Sequence, residues 1–276
     1  MSPQPVPSFD PRRYPGPRPT GPTLVLDGAC WALALTADPA RPWLPPGSAP
    51  PSPAGDAPSS LRWSLAYGAN ASPARLVAKG LDRRGAVLLP ARITGWAPAF
   101  EHRMTSYGAV PVTLVPLPGA MTATWVLGVS AQDTAVLDAS EGRAPGDSGV
   151  PADAEVARLP GPRPADGHAP PRGTYRLGRI GEVVVAGRFR LLDALAYLPG
   201  PSTRIQVDAA GTPRCWPAHD QAAARRHLDA GGDWSPAPHV AAPVEGEWPV
   251  SHLLSAGRHR WSAGSIEMEW TCTTRL

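Results

Sequence analysis

Proline is the residue that most restricts what this chain can build. It fixes φ and removes a backbone donor, so it interrupts helices and central strands. The chain carries 37 prolines and 28 glycines in 276 residues, a share close to that of low-complexity chains. The prolines are unevenly spread, with 16 of the 37 in residues 1–60. Hydrophobic residues make up 42 %, enough to bury a core, so disorder throughout is excluded. Gly has no period of three, which excludes a collagen-like chain.

The charge pattern narrows the partners. Net charge is +3 and pI is about 9.0. Lys79 is the only lysine; every other basic residue apart from histidine is arginine. Arg, Ala, Gly and Pro all use GC-rich codons, so this bias reads as genomic before functional. The basic pairs Arg12-Arg13, Arg83-Arg84 and Arg225-Arg226 are scattered and form no dense stripe, so no nucleic-acid partner is expected. The three cysteines, Cys30, Cys215 and Cys272, lie far apart, and no Cys/His spacing fits zinc. The N-terminus has no basic and apolar run of the secretory kind. The longest apolar stretch, residues 23–37, is broken by Asp27 and too short to span a bilayer. The expectation is a soluble, cytoplasmic protein with no membrane partner.

Three regions are expected. Residues 1–60 form a Pro-rich arm and linker, extended or disordered over 1–22, with an apolar strand or short helix at 23–37. Residues 61–200 form the main domain, with a Pro-rich insertion at 143–172. Residues 201–276 form a Trp-rich C-terminal extension with a helix over 218–230. Within the main domain, strands are expected at 62–67, 86–89, 91–100, 110–115, 122–129, 175–180, 182–186 and 189–198, each bounded by Gly or Pro. Short strands at this spacing predict an α+β fold, a mixed or antiparallel β-barrel with short helices. Ser72 as N-cap and Pro73 at the first helical position predict a helix through Lys79, stopped by Gly80. Ser130 as N-cap with Asp133 predicts a second helix, its buried side Ala135, Val136 and Leu137, stopped by Gly142.

Two segments carry chemistry. In Tyr67-Gly68-Ala69-Asn70, a strand ends in a Gly turn and feeds a helix start. Such a corner presents backbone N–H groups to an anion, and Gly68 allows close approach. In Leu137-Asp138-Ala139-Ser140-Glu141-Gly142, Glu141 stands at the negative end of its helix. A carboxylate is disfavoured there by about 0.3–1 kcal/mol, which suits a base that must also return its proton. Each segment alone also fits an ordinary corner and a solvated helix end.

Together they resemble the γ-glutamylcyclotransferase family. Tyr67–Asn70 is similar to its Tyr-Gly-Ser-Asn loop, and Ser72-Pro73-Ala74-Arg75-Leu76 to the helix that follows. Residues 91–100, then 111–116 with Pro118-Gly119, then 125–129 resemble its next strands in order. Leu137-Asp138 through Glu141-Gly142 resembles its catalytic Leu-Asp-x-x-Glu-Gly segment. Tyr175 and Tyr197 resemble two tyrosines that line its cavity. The likeness covers about residues 61–200. Ala69 stands where the family usually has Ser, and Ala71 where it has a larger apolar residue.

The resemblance implies a γ-glutamylcyclotransferase-like fold and a cyclisation. A γ-glutamyl peptide or amine, the small-molecule partner, is converted to 5-oxoproline and a free amine. Glu141 is implied as general acid and base, and Tyr67, Gly68, Ala69, Asn70, Tyr175 and Tyr197 as substrate-binding residues. Neither a metal nor an organic cofactor is implied. Two other readings stay open: a non-catalytic binding module of the same fold, and an amine-deprotecting or antibiotic-tailoring enzyme for a bulky substrate. The seven histidines form no HxxxH or HxH pair, and Asp147-Ser148-Gly149 reads as a turn rather than a nucleophile elbow. The tryptophans beyond residue 215 read first as packing.

Overall fold

The computed structural model describes residues 3–37, 43–44, 61–142, 175–238, 244, 248–249 and 251–255. The insertion at 143–172, with Ser148, lies outside the described residues, as do Cys272, Trp261 and Trp270. The class is mixed α+β, mostly strands with a few short helices.

Two long strands form its spine. β1 (Gln4–Pro5), β2 (Thr23–Leu26), β3 (Ala29–Ala32), β4 (Ala34–Leu35), β5 (Trp43–Leu44) and β6 (Arg62–Ala66) precede them. β7 (Ala86–Phe100) and β8 (Val112–Val129) are the spine itself. β9 (Tyr175–Arg179), β10 (Val183–Val185), β11 (Phe189–Leu191), β12 (Leu195–Pro199), β13 (Arg204–Gln206), β14 (Trp234–Pro236) and β15 (Leu253–Ser255) follow. The main sheet runs β1-β3-β2-β7-β8-β6-β12-β9, with β10 also on β7 and β11 and β15 beyond it. Its pairs are antiparallel except β6 with β12. The expected barrel is not closed: among the described residues, β1 and β9 end the path without pairing to each other. Two strands dominate the interior, so closure depends on their bending, and β7 divides one edge between β2 and β10 instead.

The prolines expected to separate strands do not. Pro90 lies inside β7, and Pro116 and Pro118 lie inside β8. The carbonyl of Pro90 accepts from Ala186 N at 2.6 Å. A strand residue points its N and its carbonyl to the same neighbour, so the missing donor faces the gap between β2 and β10. No ladder bond to β8 is lost. Further along, Thr94 pairs with Met121 but Trp96 pairs with Pro116. The surplus residues on β8 form a bulge containing Pro118-Gly119, opposite Gly95 at φ +78°.

The arm is built into the fold. Residues 3–22, expected to be extended or disordered, include β1 and a buried Tyr14. Segment 23–37 is a hairpin, not a helix. Asp27 and Gly28, at φ 49° and 73°, make its two-residue turn, an Asp-Gly signal that the sequence carried openly. The sheet thus crosses the expected boundary at 60. It crosses that at 200 as well, because β15 pairs with β11.

Among the described residues, three α-helices decorate the sheet: α1 (Pro73–Ala78), α2 (Ala131–Ser140) and α3 (Gln221–Asp229). Ser72 precedes α1 but makes no side-chain cap; its side chain is fully buried, with a Cβ on Gly16 falling 2.7 Å from its Oγ. α2 is capped as expected, Ser130 Oγ accepting from Asp133 N at 3.2 Å. Its buried side is Asp133, Thr134, Leu137 and Asp138, whereas Val136 is exposed. The polar pair is buried because both members have partners: Arg84 Nη1 meets Asp133 at 2.6 Å, and Tyr197 meets Asp138. α3 starts later than expected, with Asp220 as N-cap. Of the tail tryptophans, Trp248 is buried and Trp234 is exposed.

Candidate functional site

The site begins where β6 ends. Tyr67 leads into Gly68, and Ala69–Ala71 form one short helical turn. Such a turn leaves its first donors unused. Among the described residues, no acceptor meets the backbone N–H groups of Gly68, Ala69 and Asn70. Gly68 itself serves packing. A Cβ there would lie 3.2 Å from Tyr14 Oη and 3.3 Å from Val112 Cγ2. The freedom of approach expected for a ligand is therefore used by Tyr14. Arg18 Nη2 donates to the Tyr67 carbonyl at 3.4 Å from the other side.

Two helix ends converge on this loop. Lys79 is the C-cap of α1, directly before Gly80 at φ +73°. Glu141 is the C-cap of α2, directly before Gly142 at φ +78°. Lys79 Nζ donates to Glu141 Oε1 at 2.7 Å and to Asn70 Oδ1 at 2.6 Å. Asn70 Nδ2 donates to Glu141 Oε1 at 3.1 Å. The three side chains close a ring of hydrogen bonds between loop, α1 and α2. The Lys79 and Glu141 side chains are 6 % and 15 % exposed, so the pair is shielded from bulk water. A cation beside Glu141 offsets the cost of a carboxylate at a helix C-terminus.

Two more acidic groups sit in connected networks. Glu101, just past β7, is fully buried. Arg103 Nε donates to its Oε2 at 2.5 Å, and Tyr175 Oη donates to its Oε1. Arg103 Nη2 donates to Tyr175 Oη at 3.2 Å. Asp138, one turn before Glu141, accepts from Tyr197 Oη at 2.7 Å and from Trp248 Nε1 at 3.2 and 3.3 Å. Tyr67 Oη donates to the Tyr197 carbonyl, linking the loop to β12. Tyr107 packs under the Arg75 guanidinium, 5.1 Å from its ring centre, and feels the charges of Glu141 and Arg103. The chain has five tyrosines, and all of them gather around these acids.

Burial sets the protonation of this region. It holds the Lys79 ammonium below the usual lysine range, against the pull of Glu141. It raises the Glu101 carboxyl, against the opposing charge of Arg103. It raises Tyr67 and Tyr175 well above the ordinary phenol value. A carboxylate and an ammonium side by side handle protons in both directions. A row of open N–H groups suits an anion, and buried hydroxyls suit a small polar ligand. Among the described residues, no three His, Cys, Asp or Glu side chains gather as metal ligands do.

The structure thus brings Glu141 and Asn70 into contact, joins Tyr67 to Tyr197, and places Tyr197 on Asp138 and Tyr175 on Glu101. Ala69 lends only its backbone. Sequence reasoning missed Lys79, Glu101, Arg103, Tyr14 and Tyr107. One signal was visible: a single lysine in an arginine-rich chain. The rarity of tyrosine was another, whereas nothing local marks Glu101. No helix of the described residues is long and apolar enough to cross a membrane. No protein-family model, no curated protein and no solved structure matches this chain.

Proposed function

We propose that the protein is a cyclotransferase that converts a γ-glutamyl peptide or amine into 5-oxoproline and the free amine. One observation carries the reading: Glu141, from the Leu-Asp-x-x-Glu-Gly-like segment, is held 3.1 Å from Asn70 of the Tyr-Gly-x-Asn-like loop. These motifs lie 71 residues apart in sequence, and a shared site is what the family resemblance requires of them.

In this reading the open N–H groups of residues 68–70 hold the substrate α-carboxylate. Glu141 takes a proton from the α-ammonium, exposing the lone pair. The amine then attacks the γ-carbonyl carbon of the same molecule. Because the attack is intramolecular, holding the chain folded back supplies much of the rate. The sheet is then an open version of the family's barrel, and a cytoplasmic setting belongs to the same proposal.

The test is release of 5-oxoproline from γ-glutamyl dipeptides, glutathione and γ-glutamylamines. Glu141→Gln keeps the shape and both incoming hydrogen bonds but loses the base. Turnover is expected to fall by about 10²–10⁴-fold, and stability to fall as well, because the buried Lys79 ammonium loses its counter-ion; turnover is therefore compared at a temperature where the variant is folded. Wild-type turnover in that variant overturns the assignment. A binding module is the second reading, and the Lys79–Glu141 ion pair favours it by engaging the carboxylate already. Tight binding of γ-glutamyl compounds without 5-oxoproline would establish that alternative.

A further inference from the structure

We propose that Lys79 is a second catalytic residue, the general acid that protonates the leaving nitrogen while Glu141 acts as base. The inference rests on the cyclotransferase reading and divides between two groups the acid and base work that the family resemblance implies for Glu141 alone. Its ground is the pattern of used and open valences. An ammonium has three donors. Lys79 spends one on Asn70 Oδ1 and one on Glu141 Oε1, and no partner among the described residues takes the third. A carboxylate has two oxygens. Both donors to Glu141 fall on Oε1, and none among the described residues falls on Oε2. The pair therefore offers one open acceptor and one open donor, joined through a 2.7 Å contact. Cleaving an amide with an internal amine needs that combination. An arginine at position 79 would carry charge but would not release a proton at neutral pH. In a chain that otherwise uses arginine throughout, the one lysine stands where proton release matters. Burial lowers the proton affinity of its ammonium, which eases the transfer.

The protons balance as follows. Glu141 Oε2 takes one proton from the α-ammonium, and the α-nitrogen forms its bond to the γ-carbon as the carbonyl π pair moves onto oxygen. Lys79 Nζ gives a proton to the leaving nitrogen, the proton on Glu141 passes to the neutral Lys79, and the restored carboxylate removes the second proton from the ring nitrogen. The carbonyl then re-forms and the bond from the γ-carbon to the leaving nitrogen breaks, its electron pair staying on that nitrogen, which takes up the proton held by Glu141 and departs as an ammonium.

The experiment compares leaving groups of different basicity. Alanine and alkylamines need a proton to depart, whereas 4-nitroaniline needs far less help. Lys79→Met and Lys79→Gln are expected to lower kcat/KM for γ-glutamylalanine by about 10²–10⁴-fold. For γ-glutamyl-4-nitroanilide the expected loss is below about tenfold, while Glu141→Gln impairs both substrates. Equal losses on the two substrates in the lysine variants would make Lys79 merely structural and overturn the proposal. The wild-type enzyme gives an arm that needs no variant to fold. Across a series of leaving amines its rate should barely depend on their basicity, and a steep fall with rising basicity refutes the acid. If the wild type releases no 5-oxoproline from any substrate, the cyclotransferase reading fails first and the inference falls with it.

Discussion

At the scale of single residues, the site is a set of polar groups that only mutual contact makes tolerable. A buried carboxylate such as Glu101 needs donors, and Arg103 and Tyr175 supply them. The tyrosines give this a measurable signature. Burial raises the phenols of Tyr14, Tyr67, Tyr107 and Tyr175 above their ordinary value. Above about pH 10 the folded state therefore keeps protons that the unfolded state releases. The stability from this source is complete below that pH and declines as pH rises further. An alkaline titration followed by near-ultraviolet absorbance should show these phenolates ionising only with unfolding. Smooth ionisation of all five tyrosines near pH 10, with the fold intact, would show them exposed. How much of the site was legible differs from residue to residue. Glu141 and Asn70 stand in recognisable local patterns, so the sequence singled them out. Lys79 was noticed only as a count, because its meaning depends on a carboxylate 62 residues away.

At the scale of elements, short-range chemistry explains where helices begin and end. Ser130 accepts from Asp133 N and donates to its Oδ2 at 2.8 Å, so one hydroxyl starts α2 and orients the acid paired with Arg84. Ser130→Ala should cost about 0.5–2 kcal/mol in urea unfolding, since it deletes the cap and one donor to a buried carboxylate. A change within experimental error would show that α2 is held by packing alone. Gly142 ends the helix and leaves Glu141 as its C-cap, so the helix stop also aims the candidate base. The strands were less legible. Their existence followed from composition, but Pro90 inside β7 and Pro118 inside β8 broke the reading into pieces. A proline forbids a ladder bond only on the side its nitrogen faces, and that side is a property of the neighbours.

At the scale of the whole molecule, described segments before and after the main domain are tied to the site. Tyr14 of the arm accepts from Val112 N at 3.3 Å and packs on Gly68. Trp248 of the tail donates to both oxygens of Asp138, and Val244 N donates to the Leu177 carbonyl at 2.8 Å. Trp248→Phe should therefore destabilise the protein by about 1–3 kcal/mol in chemical denaturation, because a buried carboxylate loses a donor. Unchanged stability would mean that the tail contact carries no weight. The amino-acid sequence alone determined what depends on neighbours a few positions away: the Asp27-Gly28 turn, the caps at Ser130 and Asp220, the stops at Gly80 and Gly142, and the short apolar runs that make strands. Only the tertiary structure decided the open sheet, the inclusion of arm and tail, and the ring of Asn70, Lys79 and Glu141. Those features join residues tens of positions apart, and such contacts form through packing of complete elements, which no local spacing records.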